Sequence, residues 1–398
     1  MEDVLVKCER LDDFGRGLGY VFSKVIFVPN LLPGEEALVN VVLDNKKYMV
    51  GEVKELIQKS PLRVMPKCAY ENCGCALQNL SYSKTLEYKK NKVNMILRKF
   101  ASVDMVLDIV PSDKVFGYRN KITLKVKDGK IGYFKNGTNE LISIKGCALA
   151  SDNINKVISV LDGLDLSLVK EIIIKDFSEV MIIIDGNMDI TLLKPLASSI
   201  YMNGKCVYGN EFIKAKLGEY NFYVSKEAFF QVNMDVALRL YNKVLEYLSP
   251  SLDEEVLDLY CGTGTISLFL SKYFKKVTGV EINKEAVICA NLNKKLNKVT
   301  NVSFICGDAS EKIHELKASK VVVDPPRSGL TKRSIQDILC LKPLKLVYVS
   351  CDPMTLARDI KLLEEMYEVQ NITLFDMFPW TYHVESCVLF SLKEDKKD

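Results

Sequence analysis

The chain has no apolar run near the roughly 18 residues that a membrane-spanning helix needs. Residues 1–10 also lack the basic start and apolar middle of a secretory signal. There is no internal repeat, and no low-complexity block beyond the charged tail from Lys393 to Asp398. Net charge is scarce as well: +3 at pH 7. That total names no partner, because a basic RNA-binding face depends on how charge is distributed rather than on its sum. These absences leave a soluble, non-membrane, globular protein as the expectation.

What the sequence does hold is length and sulfur. A chain of 398 residues suffices for two or three domains, each with its own core. Twelve cysteines scattered along it, without a secretory signal, read as reduced thiols in a cytoplasmic protein. Thiols in that state are available as ligands or nucleophiles.

Residues 1–59 read as a small β unit. Gly15, Gly17 and Gly19 punctuate its start, Val25 to Val28 and Ala37 to Leu43 are strand runs, and Tyr48 to Val53 closes the sheet. An OB-like barrel of this size commonly carries nucleic acid on one face, and an ancillary structural barrel is the alternative. Cys68, Cys73 and Cys75 follow. A helix is predicted from Ser83 to Phe100, with Leu86, Val93, Leu97 and Phe100 near helical spacing. Its other face, with Lys84, Lys89, Lys90, Lys92, Arg98 and Lys99, is expected to be solvated or to touch RNA. From Lys121 to Leu192 the pattern is mostly strands, and Cys147 lies among them. After Gly218, apolar strands alternate with helical segments, which argues a Rossmann-like α/β sheet flanked by helices. The expected division is therefore 1–59, a barrel; 60–218, a central, mostly β domain with the cysteines; and 219–398, the α/β domain.

The α/β domain opens with a strand-to-helix turn, Asp258-Leu259-Tyr260-Cys261-Gly262-Thr263-Gly264. Glycines there let the backbone approach a ligand. Glu281 ends the next strand, where an acidic residue meets ribose hydroxyls in doubly wound folds. Asp308 is placed to accept from an adenine amino group. Ser267 stands at the third glycine position of the dinucleotide fingerprint, a departure that favours S-adenosylmethionine, which has no pyrophosphate, over NAD. Asp324, before Pro325-Pro326-Arg327, adds a fixed carboxylate.

Further on, Ser350-Cys351-Asp352-Pro353 places a thiol at a strand end, and Glu385 follows in Tyr382-His383-Val384-Glu385. A thiol and a base suit methylation of a pyrimidine carbon. Uracil C5 is a poor nucleophile until a thiolate adds at C6, and the C5 proton must later be removed. Cys351 is read as the nucleophile and Glu385 as the base, its pKa raised by an apolar pocket. Arg327 and Arg358 are the cations expected to help Cys351 ionise. His383 is read as a structural or substrate-orienting residue. Methylation of an exocyclic amine is the competing chemistry. It calls for an aromatic after the Pro-Pro pair, where this chain has Arg327, and it needs no thiol.

Over nearly its whole length the sequence resembles the RNA uracil-C5 methyltransferases. Phe27-Val28-Pro29 and Leu32-Pro33-Gly34-Glu35 are similar to a TRAM domain. Ala228-Phe229-Phe230-Gln231-Val232-Asn233 resembles the family's cofactor-contacting segment. The resemblance implies that Gln231 and Tyr260 touch the methyl donor, alongside Gly262, Glu281 and Asp324. It also implies Cys351 as nucleophile and Glu385 as base. The family's ribosomal-RNA branch carries a [4Fe–4S] cluster, and Cys68, Cys73, Cys75 and Cys147 look like its ligands. Here Cys73-Gly74-Cys75 leaves one residue between thiols where the family has two. Zinc on the same thiols, or empty thiols, are the alternatives. The other seven, Cys8, Cys206, Cys261, Cys289, Cys306, Cys340 and Cys387, are expected to pack. The implied activity is methylation of uridine C5 in structured RNA, ribosomal RNA first, by a monomer. Transfer RNA remains an open substrate, and a non-catalytic RNA-binding or assembly module is the reading from another class.

Overall fold

The computed structural model describes residues 3–70, 73–313 and 316–394. The end of the charged tail, residues 395–398, lies outside them. Six strands make the first sheet, in the spatial order Asp3–Lys7, Glu36–Asp44, Tyr48–Gln58, Lys24–Val28, Gly17–Val21 and Arg10–Leu11. Its inner face carries Val6, Ile26, Val28, Ala37, Val39 and Met49, all buried. The sheet curls until Asp3–Lys7 lies against Gly17–Val21, and glycine makes that closure possible. A Cβ on Gly19 would stand 2.5 Å from the Lys7 carbonyl oxygen, closer than any side chain tolerates.

The central sheet has seven strands, in the order Leu141–Ser143, Lys130–Phe134, Lys121–Lys127, Val169–Asp176, Val180–Gly186, Ser199–Met202 and Lys205–Gly209. Helix Asp152–Leu161 covers it with Ile154, Val157, Ile158 and Leu161. The region is mostly strands, as expected, and this helix, which the sequence reading did not single out, has a local start signal. Ser151 is the N-cap, accepting from the Ile154 N–H at 3.4 Å.

The third sheet has eight strands, in the order Val302–Cys306, Lys276–Glu281, Glu255–Leu259, Lys320–Val323, Lys345–Ser350, Glu385–Leu392, Tyr367–Phe375 and Asp108–Val110. The first five run parallel, and Glu385–Leu392 pairs antiparallel with both neighbours. Helices cover both faces, so the central strands are continuous apolar runs. Val321, Val322 and Val323 are all fully buried.

Helix Tyr82–Ala101 packs on this sheet, with Val93, Ile96, Leu97 and Ala101 in the same core as Leu346 and Leu363. Its buried face differs from the sequence expectation. Lys89 and Lys92 point inward, whereas Phe100 is exposed. The seven other cysteines also divide. Cys8, Cys261, Cys289 and Cys387 are buried, Cys206 is half-buried, and Cys306 and Cys340 are exposed. The expectation that they pack is corrected for those last two, which sit at a sheet edge and on the outer face of a helix. No helix of the described residues is long and apolar enough to cross a membrane.

Candidate active site

Three carboxyl ends of parallel strands define the site, the place where open α/β sheets present ligands. In the ladder between Lys345–Ser350 and Glu385–Leu392, Val349 faces Cys387 and Ser350 faces Ser386. One step further, Cys351 leaves its strand opposite Glu385. Asp324 comes directly after Lys320–Val323, whose last residue pairs with Leu259 and Tyr348. Glycine turn, carboxylate, thiol and base thus converge from strands far apart in the chain. Helix Pro353–Leu363 starts immediately beyond the thiol. Its N-cap Asp352 accepts from the Met354 and Thr355 N–H groups at 3.0 Å, which fixes where residue 351 can point.

The electrostatics are carboxyl-rich. Glu385 is buried, and that burial, with Asp324 nearby, pushes its carboxyl up to about 8, while Arg327 opposes. Burial likewise raises Asp324 to about 7. Cys351 is half-buried. Its thiol is pushed up to about 12 by burial first, then by Glu385 and Asp324, with Arg327 pulling the other way. Among the groups that act most strongly on the thiol, Arg327 is the one that supplies the positive surrounding expected of a nucleophile. Arg358 is committed elsewhere: its Nε donates to Asp359 at 2.8 Å, and its terminal nitrogen donates to the Ser328 and Leu330 carbonyls at 2.9 Å. Its expected role at the thiol is corrected.

The glycine turn forms an open cradle. Tyr260, Gly262 and Gly264 all take positive φ (66°, 54° and 81°). Nothing lies within 4 Å of where a Gly262 Cβ would be, whereas one on Gly264 would come within 2.6 Å of the Phe304 ring. One glycine keeps the backbone accessible and the other permits packing. Ser267 takes the place of a third glycine by bonding: its Oγ donates to Asp258 Oδ2 at 2.5 Å. Glu281 accepts from the Gly262 N–H at 3.0 Å and the Asn283 N–H at 2.8 Å, which locks its carboxylate to the rim of the turn. Asp308 is exposed and caps the next short helix, accepting from the Ser310 N–H and Oγ at 2.8 Å. Tyr260 shares a hydrogen bond with Ser334 at 3.0 Å. These groups fit a nucleoside with an amino-acid tail: backbone approach at Gly262, and carboxylates at the ends of successive strands.

Three lysines whose supporting role sequence reasoning missed hold the surrounding segments. Lys175 is buried, and its Nζ donates to the carbonyls of Ser225, Lys226 and Ala228 at 3.0, 2.8 and 3.0 Å. It fixes the stretch that leads into Gln231, itself buried with its carbonyl accepting from Asn120 at 3.0 Å. Burial and neighbouring Lys121 pull the Lys175 ammonium down to about 7. Lys89 forms a fully buried ion pair with Asp376 and donates to the Phe378 carbonyl at 2.9 Å. Tyr82 donates to the other Asp376 oxygen at 2.7 Å. Lys92 adds a bond to the Tyr382 carbonyl at 3.1 Å. This helix therefore grips the segment 376–383 that delivers Glu385. His383 lies in it against Tyr382, ring centroids 4.2 Å apart, and burial lowers its imidazole to about 4, so it stays neutral.

The other sulfur group belongs to the central domain. Cys73 is raised to about 11 and Cys75 to about 12, by burial first. Cys68 and Cys147 push Cys73 up further, and Cys147 and Cys73 do the same to Cys75, so the four thiols share one electrostatic neighbourhood. Arg119 acts on Cys75 in the opposite sense, and its Nε is buried without a hydrogen-bond partner among the described residues. Gly74, at φ 118°, lets the chain reverse between Cys73 and Cys75. Among the described residues, no three His, Cys, Asp or Glu side chains stand as ligands around a single ion.

Known proteins share this architecture. The model of the tRNA (uracil-5-)-methyltransferase family matches residues 199–318 and 310–393, and that of the TRAM domain matches residues 2–54. An uncharacterized RNA methyltransferase of Clostridium tetani is 36% identical, over 96% of this chain and 95% of its own length. One from Clostridium acetobutylicum is 33% identical over 95% of each. Among solved structures, the tRNA (uracil-54, C5)-methyltransferase of Pyrococcus abyssi, in complex with S-adenosyl-L-homocysteine, superposes with a TM-score of 0.79. It is 29% identical, and the match covers 97% of this chain and 99% of that one. The fold is that of an S-adenosylmethionine-dependent methyltransferase carrying an N-terminal TRAM domain. The chain belongs to the tRNA (uracil-5-)-methyltransferase family, whose members are RNA-modifying enzymes.

Proposed function

We propose that this enzyme methylates C5 of a uridine in structured RNA through a transient bond between Cys351 and C6 of the ring. The observation that carries the reading is the position of Cys351 and the buried Glu385 one step beyond the last rung of the ladder at Ser350 and Ser386, where the Glu385 and Asp324 carboxyls both act on the thiol. S-adenosylmethionine supplies an electrophilic methyl group and one positive charge. Gln231, Tyr260, Gly262, Glu281, Asp308 and Asp324 are the residues we assign to holding it.

The chain's own part has three steps. Cys351, as the thiolate once its proton has left to solvent, adds to C6, and the displaced electron pair makes C5 nucleophilic enough to accept the methyl group, whose bonding pair would stay on the donor's sulfur as a neutral thioether. Glu385 then takes the proton from C5. The electrons left behind re-form the C5–C6 double bond and expel the sulfur. A thiol held at about 12 and a base at about 8 are mismatched to neutral pH in the empty site. Added positive charge lowers both, so binding of the donor primes the pair. The target base must leave its stack to reach Cys351, at a cost of about a few kcal/mol.

Ribosomal RNA is the substrate we assign, on the strength of the four-thiol loop, and we assign the loop a [4Fe–4S] cluster. Such a cluster binds each thiolate to a different iron, so its ligands need not crowd one point as zinc ligands do. The buried Arg119 nitrogen suits an anionic group. A reducing cytoplasm suits both sulfur sites. Transfer RNA is the second reading, favoured by the likeness to the Pyrococcus abyssi enzyme. We assign residues 1–59 and 60–218 to holding RNA around the target and 219–398 to catalysis, with helix Tyr82–Ala101 and strand Asp108–Val110 lent to the catalytic sheet.

The test is transfer of labelled methyl to unmodified ribosomal RNA and to unmodified transfer RNA, with the product nucleoside identified by mass spectrometry. The reading expects 5-methyluridine from the ribosomal RNA. Methylated adenine or guanine would overturn it. Broad visible absorption of anaerobically purified protein, lost in Cys75→Ser, is the expected sign of the cluster.

A further inference from the structure

We propose that a cleft between the TRAM barrel and the catalytic sheet holds one unpaired base of the RNA, next to the uridine being methylated. The inference rests on the uridine reading above and adds a specific site to it.

The loop between Arg10–Leu11 and Gly17–Val21 carries Phe14 out of the barrel toward the catalytic segment. Its ring meets Tyr382 edge-on, centroids 5.5 Å apart, and Tyr382 in turn lies on His383. Phe14 nevertheless keeps 55% of its surface exposed. Beside it opens a cleft of about 370 Å³, with walls that include Phe14, Arg16, Phe27, Lys99, Phe100 and Met354. That volume suits a base with its sugar rather than a larger ligand. Met354, three residues beyond the thiol in the chain and 44% exposed, is the wall of the cleft that comes from the catalytic domain.

The chemistry of the walls selects the occupant. Exposed aromatic and thioether surface interleaved with guanidinium and ammonium groups is how proteins hold unpaired nucleotides: rings stack on bases and cations follow the backbone. Arg16 lies over both the Phe27 and Phe14 rings, at 4.5 and 5.3 Å from their centroids. Two carboxylates also line the cleft. Asp12 folds the loop itself, pairing with Arg16 and accepting from the Phe14 and Arg16 N–H groups at 3.0 and 2.8 Å. Asp13 acts on the buried Lys92. A base in this cleft would fix the strand on one side of the target while the uridine is extruded, the step most in need of compensating contacts.

Phe14→Ala removes an exposed ring at little risk to folding, and Phe14→Tyr keeps the stacking face. With ribosomal RNA purified from cells lacking the protein as acceptor, Phe14→Ala is expected to raise KM for RNA about 5- to 100-fold. Its kcat should stay within about twofold, and binding of S-adenosylhomocysteine should be unchanged. Phe14→Tyr is expected to restore KM. An unchanged KM in Phe14→Ala, while the parent enzyme still makes 5-methyluridine, overturns the subsite alone. Absence of 5-methyluridine from the parent enzyme overturns the uridine reading and the subsite with it. Weakened binding of S-adenosylhomocysteine in Phe14→Ala would also overturn the subsite, because the ring would then be acting through the fold.

Discussion

One lone cysteine and one group of cysteines in this molecule illustrate how neighbourhood decides what a thiol does. Around Cys351 the neighbours that act on the thiol are the Glu385, Asp324 and Asp352 carboxylates and the Arg327 guanidinium, and the carboxyls can exchange protons as ligands arrive. Around Cys73 and Cys75 the strongest neighbours after burial are other thiols. The first environment suits a nucleophile that must form and break a bond, and the second suits permanent ligation. The two are joined physically. Trp380, in the segment leading to Glu385, stacks on Phe116 and donates to the Val115 carbonyl at 2.8 Å, while the Leu77 N–H donates to the Trp380 backbone carbonyl at 3.0 Å. Cys75 and Cys147 pack against that same ring cluster.

The contrast can be broken most sharply at Cys351. Replacement by alanine is expected to lower methyl transfer by on the order of 10⁴-fold or more, with RNA binding retained in a filter or gel-shift assay. Cys75→Ala should leave the covalent chemistry in place and reduce turnover far less.

Next in size is the clamp on the base segment. Asp376→Ala leaves the Lys89 ammonium buried and unpaired, a change that costs about 3–5 kcal/mol in other proteins. The urea midpoint should fall accordingly, and Lys89→Met combined with Asp376→Leu should recover part of the loss. Equal midpoints for the single and double variants would show that the pair does not act as a unit.

The pH behaviour follows from the carboxyl. A base must be ionised, so with Glu385 raised to about 8 the value of kcat/KM should climb through the neutral range and level off above that point. Stability moves the other way. The folded state holds the Glu385 proton more tightly than the unfolded chain does, so this group's contribution declines as pH rises from the ordinary carboxyl range toward 8. Glu385→Gln cannot ionise, and its thermal midpoint should exceed that of the parent protein at pH 9 while differing less at pH 5. A smaller midpoint for the glutamine variant at pH 9 would count against a raised carboxyl.

The backbone shapes of the candidate site were legible in the sequence because their signals are local. The glycine turn, Asp324 before two prolines and the Ser350-Cys351-Asp352-Pro353 turn each announce a backbone shape within a few residues. The supports were not legible, for two reasons. Lys89 and Lys92 follow a helical pattern in which charge normally marks the solvent face, and the partners that reverse this, Asp376 and the Tyr382 carbonyl, lie 287 and 290 residues away. Lys175 ends an ordinary strand run, and only folding brings the carbonyls of Ser225, Lys226 and Ala228 to it. Arg358 failed the opposite way: near the thiol in sequence, it turns to Asp359 and the loop carbonyls.

The most direct measurement is the intact mass of Glu385→Gln protein after incubation with unmodified ribosomal RNA and S-adenosylmethionine. Without a base to release the C5 proton, protein bonded to methylated RNA should accumulate, and peptide mapping should find the link at Cys351. A variant that turns over freely with no adduct, or an adduct on any other residue, would contradict the account.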